Sequence, residues 1–280
     1  MTTLRLILGD QLNPCHSWFG EVHPDVVYVL MEIHPEMGYV LHHAQKILAI
    51  VAGMRDFARQ LKADGHRVRY IALDDPSNRQ SLTGNLDALR AHYRASWVEY
   101  QEPDEWRLDQ QLQTWAQDVT SRQGIPCHGV SSEHFYTERG EAAALFAGRK
   151  QWLMEHFYRQ MRVKHQVLLD ADHPKRPAGG QWNFDPDNRK AWKGSPPLPA
   201  DWRTPHDHRA LWQMHHQHHI GCRHGRHMRA HVGPEKPRIA HAARAWATSS
   251  IPTRCWSRGV SIWATRPCTL RQTTHCSAMA

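Results

Sequence analysis

Apolar and polar positions alternate along this chain with two different periods. Leu4 to Leu8 (Leu-Arg-Leu-Ile-Leu) and Val26 to Met31 (Val-Val-Tyr-Val-Leu-Met) are short and mostly or wholly apolar. Such runs, bounded by turn residues, read as strands covered on both faces. Arg67 to Leu73, Trp97 to Tyr100 and Ile125 to Val130 read as three more, with Val68, Tyr70 and Ala72 alternating against polar neighbours. Between the strands the period lengthens. From about His43 to Ala63, Ile47, Ile50, Val51, Met54, Phe57, Ala58 and Leu61 form one helical stripe, which Asp64-Gly65 ends. Asp74-Asp75-Pro76-Ser77 is a turn and cap before a helix reaching about Ala95. Glu102-Pro-Asp-Glu-Trp-Arg107 opens another helix, with proline early and acids in its first turn. This alternation predicts an α/β fold over residues 1–135: a doubly wound, Rossmann-like parallel sheet of five strands.

The first strand stops on Gly9-Asp10-Gln11. Sheets of this class bind ligands beyond the carboxyl ends of their strands, where the strand order reverses. Gly9 lets the backbone turn and approach a partner closely, and Asp10 and Gln11 offer acceptors and donors to it. The alternative is an ordinary strand–loop junction with a capping aspartate.

Beyond Ser131 the pattern changes. Gly140 to Lys164 reads as helical and interrupted near Gly148, with Leu153, Phe157 and Met161 on one face and Arg159, Arg162 and Lys164 elsewhere. A Pro/Gly-rich connector runs from Asp172 to Ala200, and its aromatics and amides predict a loop anchored by Trp182 and Phe184. Residues 136–213 therefore form a helical and Pro/Gly-rich connector. From Met214 to Ala280 periodicity is lost, and the only acidic residue is Glu235. That stretch reads as an aberrant, disordered tail. Back-translating Ile262 to Met279 and moving the frame back one nucleotide permits Tyr-Leu-Gly-His-Ala-Ala-Leu-His-Phe-Ala-Ala-Asn-Asn-Ala-Leu-Leu-Gly-Asn, an amphipathic helix. A frameshift accounts for both texts.

Composition modifies this picture only slightly. The formal net charge of +8 and pI of about 9.4 favour an anionic partner, but much of the excess lies in the tail. The six cysteines show no CxxC spacing, so neither a disulfide framework nor a zinc site is indicated and a reducing cytoplasm fits best. No signal peptide and no membrane-length apolar run is read.

Seven ordered motifs carry a resemblance: Leu-Ile-Leu-Gly-Asp-Gln-Leu at 6–12, Glu36-x-x-Tyr39-Val-x-His42-His43, Arg67-Val-Arg69-Tyr70, Glu102-Pro-x-Glu105-Trp106-Arg107, Gly148-Arg-Lys150, Met154-Glu-x-Phe157-Tyr158-Arg159-x-Met161-Arg162 and Trp182-Asn-Phe-Asp185. Over roughly residues 3–213 the chain resembles the deoxyribodipyrimidine photolyase-related proteins, the iron–sulfur bacterial cryptochromes and prokaryotic (6-4) photolyases. The resemblance implies an N-terminal antenna domain for 6,7-dimethyl-8-ribityllumazine. It also implies a C-terminal domain with FAD, a four-cysteine iron–sulfur (4Fe-4S) cluster and a DNA groove, acting on a flipped pyrimidine dimer.

Carried over by residue, the cofactor site would comprise Gly9, Asp10, Gln11, Glu36 and Tyr39, with His43 at its edge. Glu36 could equally serve as a helix cap. Trp106-Arg107 reads as a clamp on the sheet, and Tyr158, Arg159 and Arg162 as either phosphate contacts or a solvated face. Ala44 stands where the family has lysine. No catalytic residue and no metal ligand is assigned, and the tail cysteines are not given to a cluster. The expected function is a photolyase/cryptochrome-related flavoprotein of light-driven DNA repair or blue-light sensing. The chain is expected to stop before the FAD and iron–sulfur domain, to be inactive alone, and to be a cytoplasmic monomer. The alternative is a stand-alone chromophore- or nucleotide-binding module without catalysis. A third reading, a basic nucleic-acid binder, rests on the tail's charge alone.

Overall fold

The structure, a computed structural model, describes residues 1–185, 189, 194–195, 207–218, 220 and 222–223. In chain order it contains β1 (Thr2–Leu6), β2 (Val26–Met31), α1 (His34–Gly38), β3 (His42–His43), α2 (Ala44–Ala63), β4 (Arg67–Ile71), α3 (Leu82–Tyr93), β5 (Ala95–Gln101), α4 (Trp106–Gln123) and β6 (Cys127–Val130). Then come α5 (Glu141–Leu145), α6 (Met154–His165), α7 (Arg209–Gln217) and β7 (Cys222–Arg223). Two compact units result: Met1–Ser132 with the described residues from Asp207 onward, and a second within Glu133–Trp202.

In the first unit, five parallel strands stand in the order β4-β2-β1-β5-β6. β2 and β4 lie on one side of β1, and β5 and β6 on the other. The order therefore reverses between β1 and β5, as a doubly wound sheet requires. β2 is buried along its whole length, which is why it carries no polar residue. On one face Leu4, Leu6, Val98 and Tyr100 pack with Leu86 of α3 and Leu112 and Val119 of α4. On the other, Ile7, Tyr28 and Leu30 pack with Met54, Phe57 and Leu61 of α2. The first apolar run outlasts its strand: beyond Leu6, Ile7 still donates its N–H to Val29 O at 2.9 Å, and Ile7 and Leu8 stay buried.

The boundary expected at 213 falls inside α7. That helix packs Leu211, with Trp212 and Met214 beside it, on Ile47, Leu48 and Val51 of α2, and Ile220 completes the cluster. Beyond it β7 pairs with β3, His42 opposite Cys222 and His43 opposite Arg223. Histidine hid the periodicity. His215, one turn after Leu211, occupies an inward position and is only 4% exposed. From residue 224 on, the expected tail lies outside the described residues.

In the second unit α5 and α6 replace the single interrupted helix. Gly148 sits at φ +73°, a left-handed conformation open to glycine at little cost, which breaks the helix there. Trp182 anchors its loop by receiving the guanidinium groups of Arg159 and Arg162 at 5.7 and 5.0 Å from its ring centre. Arg162 is buried and donates to the carbonyls of Val167 and Leu168. Arg159 pairs with Glu155 across one helical turn. These arginines hold their own unit together.

Candidate functional site at the rim of the sheet

The carboxyl ends of β1, β2 and β5 form one rim, and the chain places two glutamates just after β2. Glu32 follows directly. It is 1% exposed, and every approach to its carboxylate is taken. Arg55 of α2 donates to both oxygens at 2.6 and 3.0 Å, the Tyr70 hydroxyl donates at 2.5 Å, and the Leu73 N–H donates at 3.0 Å. Burial, followed by the Glu32 charge, pushes the Tyr70 hydroxyl far above its ordinary pKa. The hydrogen bond to Glu32 raises that of Arg55. Sequence reasoning passed over both residues. The signal was a carboxylate directly after a wholly apolar strand, and an arginine beside a helix's apolar stripe.

Four residues later, α1 carries Glu36, about a quarter exposed. Arg107, at the start of α4, donates to its two oxygens at 2.8 and 2.6 Å and also reaches Glu105. The hydrogen bonds that Arg107 donates to Glu36 raise the Arg107 pKa further. The same guanidinium lies 4.4 Å from the centre of the Tyr39 ring. Tyr39 is 48% exposed and meets His42 edge-on, centroids 4.9 Å apart. Burial, then Lys46, lowers the His42 pKa, and Glu36 opposes the shift. The expected clamp role of Arg107 is thus visible, while its neighbour Trp106 is 74% exposed.

The other expected site residues are placed differently from one another. His43 caps α2, its Nδ1 accepting the Gln45 N–H at 3.2 Å. Asp10 is exposed. Gly9 does approach a partner closely, but that partner is α2. A Cβ there would stand 2.7 Å from Ile50 Cγ2 and 3.0 Å from Met54 Sδ, so glycine is required by packing. Gln11 lies inside the fold as a latch. It is 1% exposed; its Oε1 accepts the Leu8 N–H at 2.9 Å, and its Nε2 donates to the carbonyls of Gln101 and Glu102 at 3.1 and 3.3 Å. It ties the end of β1 to the end of β5 across the reversal point. The structure brings Glu36, Tyr39 and Arg107 into one cluster and sets Gln11 inside the fold.

A recess between α2 and α7 is lined by Ala44, Ile47, Trp212, His215, His216 and Ile220. Burial lowers the His215 pKa to about 4, while Glu32 works against that and Arg55, His218 and His216 reinforce it. Among the described residues no group of three or more His, Cys, Asp or Glu is placed to hold a metal ion, and no helix is long and apolar enough to cross a membrane.

An open, doubly wound parallel α/β sheet is the class of fold, and comparison with known sequences narrows it. The family model described as deoxyribodipyrimidine photo-lyase-related protein matches residues 5–225. The chain belongs to that family. It is also similar to a (6-4) photolyase of Agrobacterium fabrum (strain C58 / ATCC 33970), 38% identical over 192 residues, 68% of this chain. The match covers 36% of that relative's length.

Proposed function

We propose that the first unit is the antenna-chromophore module of a photolyase- or cryptochrome-related protein, with a ribityllumazine seated at the rim. The observation that carries this reading is the Glu36–Arg107–Tyr39 cluster. A carboxylate held by two charge-assisted bonds has a fixed direction and spare lone pairs for a ring N–H or a ribityl hydroxyl. The Tyr39 ring, exposed over much of its surface, offers a flat conjugated guest a stacking partner. These residues fit such a guest; Asp10 and His43 stand as further contacts, and Gly9 and Gln11 shape the backbone beneath. The bound chromophore would gather blue light for a flavin.

The parent activity on this reading is light-driven DNA repair or blue-light sensing, with FAD, an iron–sulfur cluster and DNA as partners. Cys15 and Cys127 do not make a cluster site among the described residues, and no step is assigned through one. They suit a reducing cytoplasm, where the chain would act as a monomer. The family match ends at residue 225, which supports a change of reading frame in the tail. The chain alone would then bind chromophore without repairing DNA.

Absorption and fluorescence of the purified chain titrated with 6,7-dimethyl-8-ribityllumazine test this. Saturable binding of one lumazine with no flavin bands supports the module. Flavin bands with light-dependent dimer repair would assign the whole activity to this chain and remove the second half of the proposal.

A further inference from the structure

Gln101 ends β5 and is fully buried, 0% exposed. Its carbonyl is used by Gln11. Its side chain is not: among the described residues neither Nε2 nor Oε1 has a hydrogen-bond partner. An interior carboxamide with both ends unpaired is strongly disfavoured, and native folds rarely keep one without a reason. Strand alternation fixes its direction. Leu6 stands opposite Tyr100, and both belong to the core under α3 and α4. The next residues, Ile7 and Gln101, face the opposite side, where Ile7 packs with Met54 and Phe57 of α2. β1 and β5 are the strands between which the order reverses. The unpaired amide therefore belongs to a residue at the reversal point, the same residue whose carbonyl the Gln11 latch grips.

A carboxamide presents a donor and an acceptor side by side. Its complement is a cyclic imide, an N–H flanked by carbonyl groups, the edge that pteridine-diones and flavins carry and most metabolites lack. We propose that Gln101 recognises the imide edge of a flat heterocycle at the β1–β5 reversal point, entry requiring Gln11 to release the carbonyls of Gln101 and Glu102. This rests on the antenna reading and adds which edge of the guest is read and by which residue.

The test uses the full chain with Gln101→Met, which keeps length and apolar volume but removes the amide. Two quantities are measured: the Tm without ligand, and fluorescence titrations with 6,7-dimethyl-8-ribityllumazine and its N3-methyl derivative. The expected result is a higher ligand-free Tm, because an unpaired amide is gone. Lumazine affinity should fall about tenfold or more, with N3-methyl-lumazine binding weakly to both proteins. A lower ligand-free Tm shows the amide to be paired within the fold and overturns the inference. Equal lumazine affinity in the two proteins overturns it too, while leaving the antenna reading intact. A wild-type chain that binds neither compound overturns both.

Discussion

Glu32 and Glu36 are one helical turn apart in sequence, stand at the same rim, and are each held by an arginine through two bonds, yet they do opposite things. Glu32 is sealed, and its four hydrogen bonds come from Arg55, Tyr70 and the Leu73 backbone. Nothing is left with which to meet a guest, so it pins α2 and the end of β4 to the sheet. Glu36 is held from one direction by Arg107 and faces solvent with the rest. The difference teaches that a charge pair marks a binding site only where its hydrogen-bonding capacity is unspent. Both pairs look alike in sequence.

The largest effect expected from this contrast is on stability. Glu32→Ala strands the Arg55 guanidinium and the Tyr70 hydroxyl, and should lower the unfolding free energy by about 3 kcal/mol in a urea titration. The double variant Glu32→Leu with Arg55→Leu should recover part of that loss, since an apolar pair of similar volume removes the stranded charge. A loss no larger for Glu32→Ala than for Glu36→Ala would erase the distinction between the two.

Next in size is Gly9→Ala. Its Cβ would collide with Ile50 and Met54, at about 2 kcal/mol of overpacking, read as a lower Tm. A neutral outcome would return Gly9 to the role of an open approach for ligand.

A smaller, pH-dependent effect belongs to α7. His215 is buried beside Arg55, His216 and His218, and its folded pKa of about 4 lies below the ordinary histidine value of about 6.5. The unfolded chain takes the proton first. The stability contributed by neutral His215 is therefore complete above about pH 6.5 and is lost as pH falls toward about 4. Hydrogen-exchange protection factors at α7 should fall over that interval, and His215→Leu should flatten the response. An α7 equally protected at pH 4 and pH 7 would contradict the docking described.

The smallest stability effect is expected at Glu36. Glu36→Gln keeps the shape and lies at a half-open pair, so the loss should stay below about 1 kcal/mol.

Much of the fold could be read directly from the chain, because its elements differ in period. β2 and α2 stand nearly where their apolar patterns end, and the five-strand parallel sheet follows from the alternation. α7 and the β3–β7 pair could not be read, since their burial uses His215 and a two-residue ladder that no periodicity announces. Glu36 and Tyr39 entered as site candidates through the family resemblance and Arg107 as a clamp, and the structure brings the three together. Glu32, Arg55 and the inward turn of Gln11 could not be read from the chain. Whether a polar side chain is spent inside or offered outside depends on partners tens of residues away, such as Tyr70 for Glu32 and Gln101 for Gln11.

The most direct measurement is the equilibrium titration of 6,7-dimethyl-8-ribityllumazine into wild type, Glu36→Gln and Glu32→Gln, with the Tm of each recorded alongside. The account expects one lumazine per wild-type chain, and an affinity about tenfold weaker in Glu36→Gln at nearly unchanged Tm. In Glu32→Gln the Tm falls first. A wild-type chain that binds no lumazine, or a Glu36→Gln chain that binds it as tightly as wild type, would contradict the claim that this rim was built for a flat chromophore.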